Sequence, residues 1–399
     1  MKSVFALAVS VGLALSGVFV SVRATTTAPP PVLVAGGFCT YPAGYLKNRT
    51  DGAARISQYL ATGAVGSELF HIGVAPHVYT WLKTGTTTTI GKGKNAVQVD
   101  QGVAALFEAM GSTGAPDALS QTVNNPTNMG TGGVLATEAL ALKINQSFSE
   151  VFVTPATGFS GLTLVDMDSV LLDGQSLTPA QAAALNGQAT LQVREAVDVP
   201  LGGGPGPLPY GLTLAQLADL LHLLNGSFED CVASAFAQAH LYQPYVTSDA
   251  FPGQQRPSTV SIFAYKPTYE SFSGNVVSVG RGCPAGSVTS TSPEDPYLAD
   301  ATGKIALIVR GGCRFDAKVA QAQLKGATAA IVFNNAPTAG CPATPTPGSN
   351  QCEALLGMAG TNPVVLTTGT VSITIPAAFI QRSTGLALAA APVAAFVQQ

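Results

Sequence analysis

Residues 303–335, GKIALIVRGGCRFDAKVAQAQLKGATAAIVFNN, restrict the fold more than any other stretch of the chain. Ile305 to Val309 and Ala329 to Phe333 are short continuous apolar runs, the pattern of strands covered on both faces. Between them Phe315, Val319 and Ala322 fall at helical spacing, and Gly326 stands where a helix end needs a left-handed residue. Two buried strands joined by one helix make a right-handed βαβ unit. A further strand is expected over Ile373 to Ile380, with a last small helix starting at Gly385.

With 399 residues the chain exceeds the roughly 250–300 at which single cores stop growing. Its charges suggest where it divides. Residues 25–249 hold eight Lys/Arg against sixteen Asp/Glu, whereas 250–399 hold nine against six. The polar stretch SDAFPGQQRPSTV between them carries two prolines and reads as a linker. Two domains are therefore expected: a mainly α region with long loops over 39–235, a linker over 236–255, and an α/β, β-rich domain over 256–399. In the first, Thr178-Pro-Ala-Gln181 and Thr213-Leu-Ala-Gln216 are capping boxes. Leu214, Leu217, Leu220, Leu221 and Leu224 draw one apolar stripe that Asn225-Gly226 stops, and Asp100 caps a helix from Gly102 to Met110.

Lys2, an apolar run from Val4 to about Val20 and the small-x-small Val22-Arg23-Ala24 have the anatomy of a signal peptide over 1–24. A Pro/Thr-rich spacer over 25–38 follows. No later segment offers 18 apolar residues in a row, so no stable membrane span is expected in the mature chain. Secretion, or a periplasmic or cell-surface location, is the expected fate. Six cysteines without a C-x-x-C pair read as three disulfides in an oxidising compartment. A pairing that respects the domains is Cys39–Cys231, Cys283–Cys313 and Cys341–Cys352. Asn48, Asn145 and Asn225 open glycosylation sequons.

Only 10% of residues are charged, the net charge is −3, and no Lys/Arg cluster exists to neutralise phosphates, which argues against nucleic-acid binding. Hydrophobic residues at 46% rule out a disordered chain. No catalytic constellation is complete. Gly158-Phe-Ser-Gly161 misses the G-x-S-x-G nucleophile elbow by one residue. His71, His77, His222 and His240 form no H-E-x-x-H arrangement, so no metal site is expected. Gly85 to Gly93 imitates a phosphate loop but places Gly93 where Ser or Thr must hold Mg²⁺, so no cofactor is expected. Asp166-Met-Asp168 reads as a solvated carboxylate pair on a strand.

Gly303, Lys304, Ile305, Arg310, Gly311, Cys313, Phe315, Lys318, Gly326, Ala327, Asn334, Asn335 and Pro376 together closely resemble the protease-associated (PA) domain. That resemblance implies a non-catalytic, β-rich module that binds peptide segments or regulates access to a partner's site. One departure is the long loop from Ala336 to Ser372. The candidate ligand site is the loop Arg310, Gly311, Gly312 with Arg314 and Lys318, which leads into a helix N-terminus suited to a carboxylate. Plant vacuolar sorting receptors carry a related domain, and the resemblance places peptide contact at the same R-G-x-C loop. Two other uses of Arg310 stand beside this one: a purely structural cap, and docking on the acidic first domain of the same chain.

Cys39-Thr-Tyr-Pro-Ala-Gly-Tyr-Leu-Lys-Asn48 also resembles the C-T-x-x-x-G-Y-W-K-N-H opening of a poorly characterised module of exported bacterial proteins. Ala141 to Asn145 and Leu223 to Cys231 continue that likeness, with Leu46 and Arg49 replacing its Trp and His. It implies export and a Cys39–Cys231 clasp, without an activity. The leading expectation is a secreted, non-catalytic protein that binds a peptide or protein ligand through its PA domain. The alternatives are an enzyme, such as a hydrolase, with an unrecognised site in the first domain, and a structural extracellular matrix protein.

Overall fold

A computed structural model of the chain describes residues 38–48, 50–62, 66–91, 96–151, 153–155, 157–263, 271–284, 297–335, 351–390 and 392–398. The expected signal peptide, nearly all of the spacer, part of the Gly85–Gly93 loop, and Cys341 lie outside these residues. No helix among the described residues is long and apolar enough to cross a membrane.

The helices, in chain order, are α1 (Ala43–Asn48), α2 (Thr50–Ala61), α3 (Gln101–Ala109), α4 (Gly133–Glu150), α5 (Pro179–Leu185), α6 (Thr190–Leu201), α7 (Leu214–Asn225), α8 (Ala235–His240), α9 (Phe315–Leu324) and α10 (Arg382–Ala389). The expected caps form. The Asp100 carboxylate accepts from the Gly102 N–H at 2.7 Å, and both Thr178 and Thr213 close their capping boxes. Along α7, Leu217, Leu220, Leu221 and Leu224 are wholly buried. They pack against α4, which is buried on nearly every side and so carries no apolar stripe to betray it. One apolar core joins these helices from Phe38 to Leu241. The region also holds short strands, including a three-stranded sheet of Glu68–Ile72, Tyr79–Leu82 and Val123–Asn124.

Apart from a small hairpin of Val364–Leu366 and Gly369–Val371, the later strands build or border a ring: β1 (Tyr245–Ser248), β2 (Arg256–Phe263), β3 (Phe272–Ser278), β4 (Ile305–Val309), β5 (Ala329–Phe333), β6 (Met358–Gly360), β7 (Ala377–Ile380) and β8 (Ala394–Gln398). Their order is β1-β8-β3-β4-β5-β7-β2, and β2 pairs back onto β1, closing a seven-stranded barrel with β6 added in parallel outside β2. The expected βαβ unit is present, with β4 and β5 parallel in register Ile305↔Ala329 to Val309↔Phe333. Alternation sends Ile305, Leu307 and Ile331 into one core with Val397. Ala306, Ile308 and Val332 enter a second core with Val319 and Ala320 of α9.

Several expectations need correction. Residues 236–255 are not a linker: they hold most of α8 and the strand β1, which pairs with both β2 and β8. The polarity that suggested a linker belongs to the turn between β1 and β2. The described residues form one compact unit, within which the apolar core changes between Leu241 and Val246. The strand expected over Ile373 to Ile380 begins only at Ala377. Before it, the Thr374 and Ile375 N–H groups donate to the Gln323 side chain, and Pro376 has no N–H. α10 starts at Arg382, with Gly385 in mid-helix because a Cβ there would lie 2.1 Å from Phe333 Cγ. Asp166-Met-Asp168 sits in a 3₁₀ turn entered by a left-handed Asp166, not on a strand.

Candidate functional site

The Arg310 loop is shaped by two consecutive left-handed glycines. Strand β4 ends at Val309, the Arg310 N–H donates to Phe333 O, and Gly311 (φ 101°) and Gly312 (φ 83°) then turn the chain toward α9. Cys313 is bonded to Cys283, as expected. The expected Cys39–Cys231 disulfide is also formed, while the third pairing falls on Cys341, outside the described residues.

The five candidate ligand residues have different fates. Arg310 is half-buried and its Nη1 donates to Asn334 Oδ1 at 3.0 Å; Asn334 Nδ2 in turn donates to Ala354 O at 3.0 Å. Burial pulls the Arg310 pKa down, and the Glu150 carboxylate opposes that pull. Lys318 is wholly buried, with Nζ donating to the Arg281 carbonyl and lying 3.5 Å from Cys283 Sγ. It ties α9 to the disulfide and is closed to an outside ligand.

Arg314 is exposed at its edge but forked onto Asp316, with Nε 3.0 Å from Oδ1 and Nη2 on Oδ2. Gly311 and Gly312 supply backbone, Gly312 being exposed. The expected carboxylate site at the N-terminus of α9 is already filled. Asp316, fully buried in the first turn, accepts from the Ala317 N–H at 2.8 Å and from the Thr361 N–H at 2.8 Å. An external anion would have to displace a carboxylate of this same helix.

Sequence reasoning passed over Arg281. The residue is exposed, and its Cδ and Nη1 lie 3.7 Å from the position a Cβ on Gly312 would take, beside Cys283 Sγ. Arg281-Gly-Cys283 echoes Arg310-Gly-Gly-Cys313, a signal that was there to be read.

A second polar assembly lies in the helical region. Asn145 Oδ1 accepts from the Tyr41 N–H (2.8 Å), and its Nδ2 donates to Tyr41 O (3.0 Å) and Asn225 Oδ1 (2.9 Å). Asn225 Nδ2 donates to Glu138 O (3.0 Å) and Oε2 (2.7 Å), and Glu138 Oε1 pairs with His222 Nδ1 at 3.1 Å. Asn145 and Asn225 are both 0% exposed. This corrects the expectation for those two sequons, because an amide nitrogen committed to buried acceptors cannot carry a glycan in the folded chain. The Asn48 side chain lies outside the described residues. His222 opens onto a cleft of about 470 Å³ lined also by Asp173, Asp219, Ala215 and Pro116. The Glu138 hydrogen bond raises the His222 pKa against the opposing effect of burial.

The other histidines stay apart. His71 pairs with Glu68, and His240 Nδ1 lies 3.2 Å from Val165 O. No group of three or more potential metal ligands gathers among the described residues.

Residues 272–388 match the family model of the PA domain, so the resemblance stated for this part of the chain holds. No curated protein matches the chain. Among solved structures, an aminopeptidase from Aneurinibacillus sp. strain AM-1 is 23% identical over 39% of this chain and 30% of that one, with a TM-score of 0.24. The zinc aminopeptidase BSAP from Bacillus subtilis is 21% identical over 39% and 29%, with a TM-score of 0.24. The psychrophilic subtilisin-like protease Apa1 from Pseudoalteromonas sp. AS-11 is 18% identical over 39% and 32%, with a TM-score of 0.26. The chain spans about a third of the length of each.

Proposed function

We propose that this is an exported, non-catalytic protein whose PA domain binds a peptide or protein segment. The observation that carries the reading is the PA domain itself over residues 272–388. Two disulfides and the expected leader suit an oxidising compartment outside the cytoplasm. The ligand edge we favour is Arg281, Gly312 and Arg314 around the Cys283–Cys313 bridge, where both guanidinium side chains reach solvent. Such an edge suits acidic peptides. The test is binding of an acidic peptide library to the full chain. Arg281→Ala with Arg314→Ala should weaken the selected peptides about tenfold or more, as loss of a charge-assisted contact worth roughly 1.5–3 kcal/mol requires. Unchanged affinity removes this edge from the reading.

The enzyme alternative has one observation in its favour, the Glu138–His222 pair facing a cleft. A hydrolase screen of the intact protein and of His222→Ala decides it. Turnover that the variant loses would establish the enzyme, and none in either would remove it.

A further inference from the structure

Cys283 and Cys313 are chemically unequal ends of one bond. Cys283 is 1% exposed, whereas Cys313 is half-buried, directly after the two left-handed glycines of the Arg310 loop. A Cβ on Gly312 would stand 3.1 Å from Cys283 Sγ, so glycine lets the loop close down over the inner sulfur. Of the two sulfurs, Cys313 Sγ is the one an outside reagent can reach.

The inner sulfur has a cation beside it. Lys318, 0% exposed on α9, places Nζ 3.5 Å from Cys283 Sγ while donating to the Arg281 carbonyl. An ammonium favours a thiolate over a thiol, and it acts most strongly where water is excluded. Gly311 O lies 3.6 Å from the same sulfur and can accept from it when it holds a proton. Both protonation states of a released Cys283 therefore have a partner in place. The other bridge is built differently. Beside Cys39, the Thr40 N–H donates to Phe228 O at 3.0 Å and the Phe38 and Phe228 rings stand 5.2 Å apart.

We propose that Cys313 is an attachment site for an external small thiol, with Cys283 as the leaving sulfur and Lys318 as the residue that holds it as a thiolate. The incoming thiolate forms a new S–S bond to Cys313 Sγ as the Cys283–Cys313 bond breaks, and the electron pair departs on Cys283 Sγ. The incoming sulfur is oxidised and Cys283 is reduced, so no further oxidant or reductant enters. The sulfur that makes the more stable thiolate leaves faster, which directs attack to Cys313 on grounds separate from access. Exposed Arg281, with Nη1 3.7 Å from the Cβ position of Gly312, adds positive charge for an anionic attacker. This chemistry requires no peptide at the Arg281 edge.

The probe is reduced glutathione added to the intact folded chain, quenched with an alkylating agent and mapped by mass spectrometry without reduction. Glutathione should appear on Cys313 with the alkyl label on Cys283, exceeding the opposite arrangement about tenfold or more. Equal labelling of the two, glutathione chiefly on Cys283, or no adduct at this bridge would overturn the proposal. Lys318→Met removes the charge while keeping a long side chain. In the folded variant the exchange should slow about tenfold, with Lys318→Arg restoring part of the rate. An unchanged or faster rate in folded Lys318→Met would overturn the part given to Lys318. The adduct map needs no variant, so it tests the site even where Lys318→Met does not fold. Loss of acidic-peptide binding at the Arg281 edge would touch only the proposed function.

Discussion

Replacing Asn145 by alanine removes a side chain that no neighbour can substitute. The amide satisfies the N–H and the C=O of Tyr41 and also the Oδ1 of Asn225, and the residue is 0% exposed. Truncation therefore strands two backbone groups and one side-chain oxygen away from water. Each stranded group costs about 1–3 kcal/mol. Allowing for some mutual relaxation, Asn145→Ala should lose about 3–5 kcal/mol, a large share of the roughly 5–15 kcal/mol that holds a native protein together. Urea unfolding followed by circular dichroism reads the loss directly.

Ser147→Ala is the control, since it destroys the Asn145-Gln146-Ser147 sequon without touching the amide. Ser147 is only half-buried, so this variant should lose at most about 1 kcal/mol. A cost under about 1 kcal/mol for Asn145→Ala, or a glycan found on Asn145 in folded protein, would refute the reasoning.

Two further outcomes follow from the ring and from the histidine. A fragment of residues 241–399 keeps β1 and should unfold cooperatively, whereas 256–399 lacks the strand that pairs with both β2 and β8 and should show a broad, non-cooperative melt by calorimetry. An NMR titration should place the His222 pKa above its ordinary 6.5, with Glu138→Gln bringing it back; because the folded value is raised, the stability this pair adds is complete below pH 6.5 and disappears as pH climbs through the raised value. A His222 pKa at or below 6.5 in the unaltered chain would count against the Glu138 contact.

What the sequence made legible was whatever local chemistry decides. The capping boxes at Thr178 and Thr213, the cap at Asp100 and the apolar runs of β4 and β5 need only near neighbours, and they form as written. The PA pattern was legible because its glycines and Cys313 sit at fixed offsets around one βαβ unit.

The failures share a different cause. β1 and β6 are short strands made by pairing with distant partners, and nothing in Tyr245–Ser248 announces Gln398. At the candidate site, the composition showed positive charge but not its commitments. Lys318 turned inward to a carbonyl, and Asp316, two residues after Arg314, took the helix terminus that looked vacant. Asn145 and Asn225 matched a three-residue signature, yet they meet each other across 80 residues of chain.

The position of β8 between β1 and β3 has a consequence for the order of events in a cell. Synthesis runs from the N-terminus, and Tyr245 emerges long before its partner Gln398 exists. Until residues 394–398 have been translated, β1 and β3 each expose a row of unpaired backbone groups, and the barrel has a gap that no other described strand fills. The helical region can collapse on the ribosome, but the barrel must wait until residues 394–398 have been made. A stop codon a few residues before Ala394 would therefore not trim an ornament: it would leave two sticky edges in the barrel, and with them a substrate for quality-control proteases.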